Sequence, residues 1–187
     1  MLQFYKPNPK LTGSACSFSY NKSDKALWVN FVRQSGPPKA SPFRGSGPDK
    51  KASSKLNPKE IAGLIRAIET NGEYGNFHST EKGNTTFKFC PYVREGKFPF
   101  EGYSFSLNQS NKSNDTKKSF IMALDHAEGG LLKHFLQTVL NEYFIKCIEE
   151  AQFTSGATRD IKQTAEKVET RPTTGDNSQE IDLDAPW

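Results

Sequence analysis

The sequence predicts an α+β protein: two antiparallel β-sheet halves, each closed by an α-helix, followed by a disordered acidic tail. Three observations carry this expectation. Apolar alternation with period two fills two blocks of the 187-residue chain. Each block ends in a helix start marked by a capping box. After Gln152 all apolar periodicity stops, and polar residues take over.

The elements follow in order. Ser14–Tyr20 alternates small or polar residues with Cys16, Phe18 and Tyr20, Asn21–Lys25 reads as a turn, and Ala26–Val32 returns as the second strand of a hairpin. Trp28 alternates away from Leu27, Val29 and Phe31, which puts it on the opposite face. Twelve of the twenty residues Ser35–Ser54 are Gly, Pro or Ser, so 34–55 is expected to be a mobile loop, basic because only Asp49 opposes its cations. Asn57-Pro-Lys-Glu60 then sets an N-cap, a proline at the first helical position and a capping box; Ile61, Leu64, Ile65 and Ile68 repeat at helical spacing, and Asn71-Gly72 ends the helix.

Strands are expected at Tyr74–Ser79, Thr85–Tyr92, Phe100–Leu107 and Ser119–Leu124. In the third, Tyr103, Phe105 and Leu107 share a face that serves as core or as a stacking surface. Asp125-His-Ala-Glu128 is the second capping box, and the helix it opens carries an apolar stripe from Leu131 to Phe144, wide enough for both a sheet and a partner chain. The domain expectation is 1–152 for the folded body and 153–187 for the tail.

Hydrophobic residues make up 34% of the chain. Even with the 14 glycines added the share stays below the ~45–50% of an ordinary globular chain. The deficit belongs to the 34–55 loop and the tail. Aromatics at 12% exclude full disorder. The net charge of +4 divides into +7 for the body and −3 for the tail, an asymmetry suited to a polyanionic partner. Three cysteines without metal spacing support neither a disulfide framework nor a zinc site, and His78, His126 and His134 share no ligand spacing. No phosphate-binding glycine loop is present, so a non-enzyme without cofactor or metal is expected. With no membrane-length apolar run and no signal peptide, the expected location is the cytoplasm.

Aromatic and basic residues interleaved on strands suit single-stranded nucleic acid: rings stack on unpaired bases while cations follow the phosphates. The candidates are Tyr20, Lys22, Lys25, Trp28, Arg33, Phe43, Arg44, Lys50, Lys51, Lys88, Tyr92, Arg94, Lys97, Phe98 and Tyr103. The alternative for any one ring is a place in the core. At the C-terminus, Glu180, Asp182 and Asp184 precede Pro186 and Trp187, an acidic peptide ending in an aromatic that is physically a docking tag.

Asp-Leu-Asp-Ala-Pro-Trp187 resembles the acidic tip of bacterial and phage single-stranded-DNA-binding proteins, with Trp187 in place of Phe and Leu183 between the acids. The body is not similar to the barrel of those proteins. Its element order, with Asn57-Pro-Lys-Glu-Ile-Ala and Leu124-Asp-His-Ala-Glu at the helix starts, resembles the Whirly and positive-cofactor-four-like family of single-stranded-DNA binders. Gly13-Ser-Ala-Cys-Ser-Phe-Ser and Lys117-Lys-Ser-Phe-Ile are similar to phage-encoded members of this type. The resemblance implies a dimer or tetramer formed through the helices, with strands along the DNA surface. The expected function is sequence-tolerant single-stranded DNA binding in replication or recombination, with partner proteins recruited by the tip. A transcriptional regulator or RNA chaperone using the same surface is the alternative.

Overall fold

The computed structural model describes residues 1–39, 41–44, 47–96, 99–113 and 116–168, with side chains to 152 except Phe100. Residues 1–145 form one compact unit, and a second begins at Lys146. The first unit holds the two sheets.

Sheet 1 contains β1 (Leu2–Lys6), β2 (Ser14–Asn21), β3 (Ala26–Arg33) and β4 (Lys51–Leu56), in that order and antiparallel throughout. Sheet 2 repeats the plan with β5 (Tyr74–Ser79), β6 (Gly83–Arg94), β7 (Phe100–Asn111) and β8 (Lys117–Asp125). Helix α1 (Pro58–Glu69) joins the sheets, and α2 (His126–Val168) follows the second. The expected α+β class with two helix-closed sheet halves is the observed one.

Two strands depart from the sequence expectation. β1 is an additional strand, and β4, all but Leu56, lies in the 34–55 stretch expected to be a mobile loop. Lys51–Leu56 has little strand propensity of its own, but Ala52, Ser54 and Leu56 turn inward while Lys51, Ser53 and Lys55 turn outward. Pairing with β3 and burial of Leu56 decide its conformation. A 3-10 turn at Pro48–Lys50 leads into it. The segment 153–168, read as tail, is helical backbone in α2: it contains no proline, and extending a formed helix is far easier than starting one. Residues beyond 168, including the expected docking tip, lie outside the described residues.

The inner faces of the two sheets meet in one apolar core. Phe18 stacks on Phe105 at 5.7 Å between ring centroids, and Phe31 touches both Phe105 and Phe120. Burial pushes the Cys16 thiol well above its ordinary range. Both capping boxes form as read. Asn57 Oδ1 accepts from Glu60 N while Glu60 Oε2 accepts from Asn57 N, and Asp125 and Glu128 reciprocate in the same way. Of the expected α2 stripe, Leu132, Leu136 and Val139 are buried, whereas Leu131 and Phe144 are exposed.

Glu60 does more than cap. Its carboxylate is 1% exposed and also holds Asn76 Nδ2 and His78 Nε2, which ties the start of α1 to β5. Asn76 Oδ1 in turn accepts the backbone N–H of Phe77 on this edge strand. At the other edge of sheet 2, side chains from sheet 1 occupy the carbonyls of β8: Ser14 Oγ donates to Ile121 O, and Arg33 donates to Ser119 O while lying over the Phe120 ring. Gln34 organises the loops beside this junction. Its Oε1 accepts from Asn8 N and Gly13 N, and its Nε2 donates to Asn8 O and Gly36 O.

Candidate nucleic-acid interface

The period-two pleat that fills the core from one face of sheet 1 leaves the other face to solvent. Its register sets three cross-strand rows on that face. Tyr5, Ala15, Val32 and Lys51 form the first, Gln3, Ser17, Asn30 and Ser53 the second, and Ser19, Trp28 and Lys55 the third. Small side chains dominate, so the large ones stand clear of them. Trp28 is 37% exposed and Tyr5 54% exposed, with the Tyr5 ring 5.8 Å from that of Phe43. Lys51 and Lys55 line the β4 edge, where a cation can meet a phosphate while Trp28 offers a π-face.

The outer face of sheet 2 is built alike. Gly75, Lys88, Ser106 and Ile121 form one row, and Phe77, Thr86, Asn108 and Ser119 the next. Phe77 and Ile121 are exposed there. Cys90, Ser104 and Ala123 continue the small-residue pattern, and Tyr92 stands opposite Gly102.

The chain matches no family model and no curated protein sequence. Its fold is similar to solved structures. WHY1 from Arabidopsis thaliana aligns with a TM-score of 0.55 at 20% identity, covering 76% of this chain and 88% of that one. The plant transcriptional regulator PBF-2 aligns at 0.55 and 17% identity, covering 81% and 86%. WHY3 from Arabidopsis thaliana aligns at 0.54 and 17% identity, covering 84% and 95%.

The fold is Whirly-like.

On this Whirly-like frame the expected site residues separate into groups. Trp28 and Lys51 share the open face of sheet 1, and Phe43 joins it through Tyr5. Arg44 and Arg94 are exposed, and Lys50 lines a groove described below. Lys25 sits in the β2–β3 turn with φ 47. Tyr20 and Tyr92 are half-buried, Tyr20 against the core.

Two of the expected phosphate ligands already have carboxylates. Lys22 pairs with Glu142 at 2.7 Å and Lys88 with Glu73 at 2.8 Å, and the Glu73 hydrogen bond and charge raise the Lys88 pKa. Arg33 is held by β8. Tyr103 is a correction: it is 5% exposed, stacks on Phe89 at 5.0 Å and donates to Ile68 O. Its face of β7 is core, because Phe105 and Leu107 lie under the first sheet. Lys97, Phe98, Glu180, Asp182, Asp184, Pro186 and Trp187 lie outside the described residues.

Sequence reasoning passed over Tyr5, Lys55, Phe77 and Ile121. Alternation within Leu2–Lys6 was the available signal for Tyr5, and Lys55 needed the pairing of β4. Among the described residues no cluster of side chains could hold a metal, and no helix is long and apolar enough to cross a membrane.

Proposed function

We propose that the protein is a non-catalytic, sequence-tolerant single-stranded-DNA-binding protein of a replication or recombination system. The observation that carries this reading is the Ser19–Trp28–Lys55 row: an exposed indole flanked by a small residue and a cation, on a face that also carries the exposed Tyr5. A ring so placed accepts any base, because every base has a π-face, and each such stack contributes about 1–3 kcal/mol. Similarity to Whirly-like structures and the +7 charge of residues 1–152 support the same conclusion.

The acidic segment ending in Trp187 recruits partner proteins and, being tethered, competes with DNA for the basic surface at high effective concentration. The exposed Leu131 and Phe144 of α2 support assembly into a dimer or tetramer. The chain works in the cytoplasm, that of the host for a phage-encoded protein. A second reading, a transcriptional regulator, is favoured by the similarity to PBF-2.

Anisotropy titrations of labelled oligo-dT, matched RNA and duplex against the full chain separate these readings. Tight binding to oligo-dT alone supports the first, and preference for one duplex sequence supports the second. Deleting Asp176–Trp187 is expected to raise DNA affinity and abolish partner capture. Unchanged affinity and unchanged capture would remove the tail from the scheme.

A further inference from the structure

Two grooves lie near the junction of the sheets. One, of about 420 Å³, lies between the β1–β2 loop and β8; Leu11 and Ile121 form its apolar walls, and Arg33 and Lys50 supply its charge. The other, of about 310 Å³, lies beside the β5–β6 turn and is polar, lined by Lys82, Asn84 and Gln109 among others. Asp49 and Lys118 line the second groove, while their chain neighbours Lys50 and Ser119 line the first. Both grooves are thus bordered by the segment Asp49–Lys50 and by β8 at Lys118–Ser119.

The charges lining the two grooves are unequal in availability. Lys118 is committed: it donates to Pro48 O at 3.0 Å and stands 4.0 Å from the Asp49 carboxylate. Arg33 is engaged by Ser119 O. Lys50 and Lys82 have no ion-pair partner among the described residues, in contrast to Lys6, Lys22, Lys88 and Lys133, which pair with Glu128, Glu142, Glu73 and Glu69. The acid lining them is Asp49, whose side chain is 95% exposed and only loosely paired, at 4.0 Å, with Lys118. Such a carboxylate near available cations repels phosphate and weakens what they attract.

We propose that the two grooves act as one track and that a single strand of DNA crosses the molecule along it. A base enters the apolar groove between Leu11 and Ile121, phosphates meet Lys50 and Lys82, and Asp49 limits the affinity. The proposal rests on the single-stranded-DNA reading above and adds a path distinct from the Trp28 face.

The test is oligo-dT anisotropy on the full chain across a salt series, with circular dichroism to confirm folding. Asp49→Asn is expected to tighten binding roughly three- to tenfold at low salt, since it removes a like charge from the path. Lys82→Ala is expected to weaken binding and to flatten the log–log salt dependence by about 0.7, the value of one single-strand phosphate contact. Leu11→Ser is expected to weaken binding at every salt concentration with the slope unchanged. A wild-type chain that binds while all three variants match it within twofold overturns the junction path and leaves the Trp28 surface standing. A wild-type chain that does not bind oligo-dT overturns both.

Discussion

One edge of the Tyr103 ring lies so close to Gly129 in the first turn of α2 that a Cβ on the glycine would collide with it. The ring is held in place, because Phe89 stacks on it and its hydroxyl donates to Ile68 O. The neighbouring Gly130 faces open space. Gly129→Ala is therefore expected to lower the melting temperature, the overpacking cost of about 1–3 kcal/mol outweighing the gain in helix propensity. Gly130→Ala should raise stability by up to about 1 kcal/mol. Thermal denaturation of the pair measures both; equal shifts would refute the contact.

Gln34 is 2% exposed and satisfies four backbone groups from two loops. Gln34→Ala takes this partner from the Asn8 and Gly13 amides and from Gly36 O together, while Asn8 O keeps the Leu11 amide, and is expected to cost about 2–3 kcal/mol. The loss should concentrate in the loops, so hydrogen exchange at Asn8 and Gly13 should accelerate more than exchange at Phe18 in the core.

Trp28→Ala is expected to weaken oligo-dT binding by about 1–3 kcal/mol with little change in melting temperature, since the indole stands on an open face. Tyr103→Phe should do the reverse, losing about 1 kcal/mol of stability with DNA affinity unchanged. Loss of DNA affinity from Tyr103→Phe alone would return that ring to the binding surface.

Lys55→Ala should reduce the salt slope of DNA binding by about 0.7. Removing Lys88 together with Glu73 deletes a pair that is already neutral, and the slope is expected to stay where it was. A slope that falls equally in both variants would mean that DNA displaces Glu73.

What the chain disclosed in advance was what its neighbours in sequence determine. The capping boxes at Asn57 and Asp125 depend on residues three apart, and both were readable; so was the outward aim of Trp28, which needs only alternation. β4 was not readable, because Lys51–Leu56 becomes a strand through its pairing with β3. Tyr103 was misassigned because a core face and a stacking face carry the same aromatic pattern. The neutralisation of Lys22 was invisible because Glu142 lies far along the chain, on a different element.

The Asn76 side chain that occupies the Phe77 amide has a consequence for solubility. An edge strand with free amides is a template for adding strands from other molecules, and β5 carries the exposed Phe77 at its centre. With that amide already bonded, an incoming strand finds one rung of its ladder taken. Growth of sheets from molecule to molecule is thereby discouraged at the edge that exposes Phe77.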